Sequence, residues 1–171
     1  MIFLETERLL FRSHEARDEA DFVSMHTDAE VRRYVGGKAW PVEKAHSRFR
    51  EQHLGRPAET YGLWATVFKV EGKYIGCCGL RAPRNGMRAS LGYYLARPYW
   101  RRGLGSEASQ GFIDVAFTQL ELDCVEADVW PVTLQPAATT PRCAAGCISS
   151  WAQQFLARLN SLSLPLIEKN G

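Results

Sequence analysis

A glycine-spaced turn between a β-rich run and an amphipathic helix is the feature that most restricts the fold of this chain. The turn lies in "PYWRRGLGSEA", residues 98–108. Residues 87–96 before it and residues 122–130 after the helix both have the character of strands. A strand, a turn, a helix and a second strand form a βαβ unit, whose two strands lie parallel in one sheet. The sequence therefore predicts one parallel crossover.

The residues before this unit predict helices followed by an antiparallel meander. A short strand is expected at residues 7–13, and Glu71-Gly72 marks a hairpin between "TYGLWATVFKV" and "KYIGCCGLR". Gly92, inside the next strand, indicates a bulge or a place where another backbone or a ligand comes close. Helices are predicted over residues 18–26, 28–34 and 42–55. The fold class is α+β, with a mixed sheet.

Composition limits the classes of function. The chain has 171 residues, which suits one domain, and 46% of them are apolar. Lys and Arg number 21 against 19 Asp and Glu, so nothing favours nucleic acid or an acidic membrane as a partner. We find no apolar run of signal-peptide or membrane-span length in the sequence and expect a cytoplasmic protein.

The turn itself has the chemistry of an anion site. A helix that begins in a glycine turn leaves amide N–H groups unpaired and carries a partial positive charge. Gly103 and Gly105 remove side chains that would block a close approach, and Arg101 and Arg102 add donors that suit phosphate oxygens. Together these residues favour a phosphate-bearing ligand.

Two nucleotide-binding patterns compete with this interpretation. "GLGSEA" at residues 103–108 satisfies Gly-x-Gly-x-x-Gly/Ala, and Asp123 follows about 20 residues later, as in dinucleotide-binding folds. However, the dinucleotide turn follows its strand at once and opens repeated βαβ units, whereas "RPYWRR" intervenes here. A dinucleotide-dependent oxidoreductase is therefore the third hypothesis. The chain has no P-loop pattern.

Three segments in this order resemble the GNAT N-acetyltransferases, and among them the group typified by the ribosomal-protein-acetylating enzymes. The segments are "TERLLFR", "LGYYLARPYWRRGLGSEA" and "GFIDVAFTQLELDCVEADVWP". The resemblance covers residues 3–131 of a single domain, 1–171, and implies a GNAT-like mixed sheet with helices on both faces. The family's loop is Gln/Arg-x-x-Gly-x-Gly/Ala, and its first position is Trp100 here.

The resemblance implies acetyl-CoA as the co-substrate. The amides from Arg101 to Ser106 would hold its pyrophosphate, and the pantetheine would lie along the preceding strand. The acceptor would be the primary amine of a small molecule or a peptide, possibly a protein N-terminus, and it would attack the thioester directly. The protein would be a monomer or a homodimer. The residues implied in cofactor binding are Tyr93, Tyr94, Leu95, Arg101, Arg102, Gly103, Leu104, Gly105 and Ser106.

Two proton transfers accompany such a reaction, one from the amine and one to the departing thiolate. Glu126 is the candidate base, although a carboxylate on that strand also suits a surface ion pair. Tyr94 is the candidate donor, and Ser90 stands where relatives often carry Glu. The four histidines receive no catalytic role. No metal is assigned, since Cys143 and Cys147 lack a second pair at zinc spacing.

The composition changes at about residue 132. Residues 132–171 lack the Asn-x-x-Ser stretch and the final strands of the family, and Pro136 and Pro141 break any strand alternation. We interpret this tail as non-homologous to the family's ending, and a reading-frame shift in the coding DNA would account for it. The alternative function that follows is an acyl-CoA-binding protein with little or no turnover.

Overall fold

The computed structural model describes residues 2–55, 61–82, 88–122 and 124–127. The predicted tail from residue 132 lies outside these residues, and so does the end of the predicted strand at 122–130. Within the described ranges, no helix has the length and apolar character required to span a membrane.

Six strands form one mixed sheet in the order of the sequence. Each of the first four strands pairs antiparallel with the next, whereas the fifth and sixth strands pair parallel. The strands are β1 (Ile2–Glu5), β2 (Leu9–Arg12), β3 (Gly62–Phe68), β4 (Lys73–Arg81), β5 (Arg88–Leu95) and β6 (Cys124–Ala127). The predicted meander and the parallel crossover are both confirmed. The first strand was not predicted, since its four residues are too few to show an alternation.

The described residues contain four α-helices, and local chemistry fixes where they begin. They are α1 (Glu19–Thr27), α2 (Ala29–Tyr34), α3 (Val42–Gln52) and α4 (Leu104–Thr118). The carboxylate of Asp28 accepts a hydrogen bond from the amide of Glu30 at 2.8 Å and so caps α2. Pro41 immediately precedes α3. α3 ends three residues before the predicted Gly55, where the amides of His53 and Leu54 both donate to the carbonyl of Phe49.

The sheet separates two hydrophobic cores. On one face, α4 packs Leu104, Phe112 and Ile113 against side chains of the inner strands. On the other face, α1 and α3 pack Phe22 and Phe49 against a second set of strand residues. Neighbouring strand residues alternate between the cores, as Cys77 and Cys78 do. Helices therefore cover both faces, as the resemblance implied.

The bulge in the inner part of the sheet lies in β4 and not at Gly92. Thr66 pairs with Gly76 and Val67 pairs with Tyr74, so Ile75 is the extra residue. Gly92 pairs in regular register with Gly79, so the expectation of a bulge at Gly92 is wrong where β5 pairs with β4. Gly76 has a φ of 154°, and a Cβ on it would lie 2.1 Å from the carbonyl oxygen of Tyr94. Glycine is required where β4 and β5 approach this closely.

Candidate functional site

The start of α4 is open to solvent and held in an unusual backbone conformation. Gly103 is the residue before the helix, with a φ of 73°, and as a glycine it has no side chain to cap the first amides. Arg101 also has a left-handed φ, 59°. That conformation costs a non-glycine residue on the order of 1 kcal/mol, so the surrounding contacts must hold the turn. The turn presents the first amides of α4, which have no acceptor within the helix, away from the core.

Gly105 lies against the ring of Tyr93. A Cβ on Gly105 would lie 2.8 Å from Cε2 of Tyr93, which is too close for any real side chain. The glycine therefore allows the helix start and the end of β5 to meet, and the 41% exposed Tyr93 forms one wall of the space outside α4. The structure thus brings together two of the predicted cofactor-binding residues.

The other loop residues make different contacts. The guanidinium of Arg102 lies over the rings of Phe68 and Tyr99, with 4.8 and 5.4 Å between Cζ and the ring centroids. Arg101 is exposed. Leu104 points into the core and is 1% exposed, so it offers a ligand only its backbone amide. Ser106 lies in the first turn of α4 and is half-buried.

A clamp that the sequence analysis missed fixes the position of this loop. Oε2 of Glu107, in the first turn of α4, accepts from Nε of Arg8 at 2.6 Å, and its Oε1 accepts from Oγ1 of Thr6 at 2.5 Å. Nη1 of Arg8 also donates to the carbonyl of Arg102 at 2.9 Å. We call these three residues, Thr6, Arg8 and Glu107, the clamp. No local pattern signals it, because 99 residues separate Arg8 from Glu107.

The clamp carboxylate is ionised over a wide pH range. Burial raises the pKa of Glu107, but the hydrogen bonds from Thr6 and Arg8 outweigh burial, and the pKa lies below its ordinary value. A carboxylate in the first turn of a helix also interacts favourably with the helix dipole. The clamp therefore joins the loop between β1 and β2 to the start of α4.

Trp100 explains the departure from the family's loop pattern. Its Nε1 donates to the carbonyl oxygen of Leu95 at 2.6 Å, and this bond ties the loop to the end of β5. The carbonyl of Leu95, a predicted pantetheine contact, is therefore already an acceptor. An indole at this position supplies the same kind of donor as the glutamine or arginine of the pattern.

Tyr94 lies on the opposite face of the sheet from Tyr93, because successive strand residues alternate. Its ring meets the ring of His26 edge to face at 5.1 Å. Burial and the nearby Cys77 raise the pKa of Tyr94 well above its ordinary value. Burial lowers the pKa of His26 to about 3. Tyr94 thus keeps its proton at neutral pH and is a hydrogen-bond donor, while His26 is uncharged.

Glu126 lies on β6 beside Ser90 and not beside Tyr94. The parallel register pairs Ser90 with Glu126 and Leu91 with Ala127. Tyr94 is four residues further along β5, which is about 13 Å at the rise of a strand. The two predicted proton-transfer residues are therefore on the same face of the sheet but are not neighbours.

Comparison with known proteins assigns the family. The family model described as "Acetyltransferase (GNAT) domain" matches residues 8–133, most of the chain. The chain belongs to the GNAT acetyltransferase family. The "Uncharacterized N-acetyltransferase p20" of Bacillus licheniformis is 34% identical over 134 residues, which are 75% of this chain and 73% of that protein.

Solved GNAT structures share the fold. A Bacillus anthracis acetyltransferase of the GNAT family superposes with a TM-score of 0.65 at 19% identity, over 77% of this chain and 75% of that one. A Vibrio cholerae protein, proposed to be a ribosomal-protein-serine acetyltransferase, superposes with a TM-score of 0.61 at 19% identity, over 94% and 82%. At these identities the likeness shows the GNAT fold alone. The family establishes acetyl transfer as the general chemistry of this chain.

Proposed function

We propose that this GNAT protein is an acetyl-CoA-dependent N-acetyltransferase that transfers the acetyl group to a primary amine. The observation that carries the proposal is the start of α4, where the turn at Gly103 opens the helix and Gly105 lies against the ring of Tyr93. Amides, a helix dipole and nearby guanidinium groups suit the pyrophosphate of the co-substrate.

The residues present fit this ligand in shape as well as in charge. A Cβ on Gly105 would collide with Tyr93, so the close meeting of helix and strand depends on the glycine. The clamp contacts the loop from the side of β1 and β2 and leaves the other side of the α4 start to a ligand. We infer that Tyr93, Tyr94 and Leu95 line the path of the pantetheine along β5. Acetyl-CoA, when bound, supplies an acyl group activated as a thioester.

The contribution of the chain to the reaction is positioning and proton transfer. Alignment of an amine with an acyl donor contributes on the order of 7–11 kcal/mol in well-oriented systems, so no covalent intermediate is required. Tyr94 keeps its proton at neutral pH, which suits a donor to the departing thiolate. Glu126 is our candidate acceptor of the amine's proton, through water, because about 13 Å of strand separates its neighbour Ser90 from Tyr94.

For the acceptor we propose the primary amine of a small molecule or a peptide, and a protein N-terminus in particular. The fold shared with the Vibrio cholerae protein supports the last of these as a class to test first. The approach of the acceptor would be from the face of the sheet that carries Tyr94 and Glu126.

Calorimetry with CoA tests the cofactor site. We expect the double variant Arg101→Ala, Arg102→Ala to weaken CoA binding at least about tenfold, since two charge-assisted contacts to phosphate are removed. The matched control is Arg17→Ala, Arg50→Ala, which removes the same charge from exposed positions. An unchanged dissociation constant for the loop variant at moderate salt would show that the loop arginines do not bind phosphate. NAD is the comparison ligand, and tighter binding of NAD than of CoA would overturn the proposal.

Release of the CoA thiol in the presence of an amine panel tests turnover. The panel contains peptides with free N-termini, polyamines and small aromatic amines. We expect thiol release that depends on both acetyl-CoA and an amine. Tight binding of CoA without thiol release from any amine would instead support the acyl-CoA-binding alternative.

A further inference from the structure

Two imidazoles and a thiol converge on the face of the sheet opposite α4. Nε2 of His14 lies 3.3 Å from Sγ of Cys77, although 63 residues separate them in the chain. The rings of His14 and His53 are 4.5 Å apart, centroid to centroid. One potential ligand atom from each of the three residues lies within 4.8 Å of the other two. Because each residue comes from a different element, sequence spacing gave no sign of this group.

We propose that His14, His53 and Cys77 bind one zinc ion, in a site separate from the start of α4. Imidazole nitrogen and cysteine thiolate are the ligands that zinc prefers, and two histidines with one cysteine form a three-ligand protein site. A nitrogen and a sulfur bound tetrahedrally to one zinc ion lie about 3.6 Å apart. The observed 3.3 Å between Nε2 of His14 and Sγ of Cys77 is close to this value, and the potential ligand atoms of all three residues lie within 4.8 Å of one another.

The surroundings hold the ligands in place without the ion. The His14 ring stands edge to face against the ring of Phe49, at 5.9 Å. The hydroxyl oxygen of Tyr74 lies 3.0 Å from Sγ of Cys77, and either atom can be the donor while Cys77 is a thiol. A zinc-bound thiolate has no proton, so Tyr74 would then donate to the sulfur. A hydrogen bond of this kind orients a metal ligand and stabilises its charge.

Zinc binding releases a proton. Cysteine binds zinc as the thiolate and histidine as the neutral imidazole. Binding therefore forms the zinc–sulfur bond and transfers the thiol proton of Cys77 to the buffer, with no change of oxidation state. The charge of Arg12 nearby is matched by Asp18 at 2.7 Å.

The ion would enter the site past His53. This histidine is the half-buried member of the group, whereas His14 and Cys77 are buried. His53 also follows α3 directly, so the ion would join the end of this helix to β4 beneath it.

Zinc titration of the tag-free protein against a chromophoric chelator tests the proposal. We expect one zinc ion per chain. The dissociation constant for zinc should rise at least about 100-fold in Cys77→Ser and in His53→Gln, because removing a ligand weakens binding more than removing a residue that hydrogen-bonds to a ligand. Cobalt(II) should give a thiolate-to-metal charge-transfer band that Cys77→Ser abolishes. Tyr74→Phe should weaken zinc binding about tenfold and leave the band in place.

Two controls separate this site from adventitious binding. Cys78→Ser alters the neighbouring buried thiol, which packs in the other core. His46→Gln removes a histidine that is 39% exposed and paired with Glu19. Both should bind zinc as the unaltered chain does. If Cys77→Ser does not fold, His53→Gln carries the test. Zinc affinity that is equal in His53→Gln and His46→Gln, or a cobalt complex without the thiolate band, would overturn the proposal. Neither outcome bears on CoA binding.

Discussion

Arg12 and Asp18 form a buried ion pair in which both oxygens of the carboxylate are used. Nη1 of Arg12 lies 2.7 Å from Oδ2 of Asp18, and Nη2 lies 2.8 Å from Oδ1. The hydrogen bond to Asp18 is the main reason that the pKa of Arg12 is raised. Oδ2 also accepts the amide of Glu15, so the pair fixes the chain between β2 and α1.

Asp18→Asn should destabilise the fold by about 3–5 kcal/mol, because the guanidinium of Arg12 would lose its buried countercharge and keep only the half-exposed Glu15, at 3.4 Å. Urea unfolding at neutral pH measures the change in the free energy of unfolding. Asp21→Asn is the matched control, since its pair with Lys73 spans 3.3 Å and both side chains are more than one third exposed. We expect less than about 0.5 kcal/mol there. Equal effects of the two variants would contradict the importance assigned to the buried pair.

Glu107→Gln should destabilise the protein by about 2 kcal/mol at neutral pH, because the clamp loses its charge-assisted hydrogen bonds. The folded pKa of Glu107 lies below the ordinary value of 4.5. Its ionised form therefore stabilises the fold fully above that value, and the stabilisation is lost as pH falls through the folded pKa. Urea unfolding of both proteins between neutral pH and pH 3 measures this.

The difference between the unaltered chain and Glu107→Gln should thus shrink on acidification. Asp114→Asn is the control on the same helix, because Asp114 is exposed and bonded only to Gln110 within α4 among the contacts described. We expect it to change stability by less than about 0.5 kcal/mol. A difference for Glu107→Gln that stays constant with pH would rule out ionisation of Glu107 as its source.

At the scale of elements, the contact between β4 and β5 depends on one glycine. Gly76→Ala should destabilise the fold by about 3 kcal/mol or more, because the new methyl group would lie 2.1 Å from a backbone oxygen that cannot move aside. Gly92→Ala, in the facing strand, is the control, since a Cβ there meets nothing within 4 Å. Thermal unfolding of both variants tests the prediction, and comparable midpoints would show that the sheet relaxes around the bulge.

The sequence predicted elements better than it predicted their irregularities. Two β-rich runs around a hairpin identified β3 and β4, alternation identified β5, and the apolar stripe of α4 predicted a helix that the structure confirms. The position of the bulge was not predictable, because the strain that requires Gly76 comes from the backbone of another strand. β4 contains two glycines, and nothing local distinguishes Gly76 from Gly79.

The loop residues around Gly103 were identified from local pattern, and their predicted contacts with a ligand stay predictions. What the sequence could not supply was the support around them. The clamp and the group of His14, His53 and Cys77 join residues far apart in the chain, and both depend on the order of strands in the sheet. Which residue of β5 lies beside Glu126 was also not predictable, since it depends on the register between β5 and β6.

At the scale of the molecule, ligand binding should appear as global stabilisation. A ligand at about 100 times its dissociation constant stabilises the folded state by about 2.7 kcal/mol, which for a chain of this size raises the melting temperature by roughly 5–10 °C. We expect CoA to produce such a shift and NAD to produce none. The double variant Arg101→Ala, Arg102→Ala should lose most of the shift at the same CoA concentration. An equal rise in melting temperature in the variant would show that CoA binds at another place on the protein.

Each of the two cores supports a different proposed site. The core under α4 supports the proposed CoA loop, and the core under α1 and α3 surrounds Tyr94 and the proposed zinc site. Cys77 and Cys78 are adjacent in the chain, yet they belong to different cores. Substitutions in one core can therefore change acceptor binding or metal binding while the loop on the other side keeps its geometry.

The clamp has a practical consequence for work with this protein. Thr6 and Arg8 follow β1 directly, so whatever is fused before Ile2 is one short strand away from residues that hold the start of α4. A bulky or charged affinity tag at that end can compete for Glu107 and alter apparent cofactor affinity without touching the cofactor. Binding constants should accordingly be compared before and after proteolytic removal of the tag.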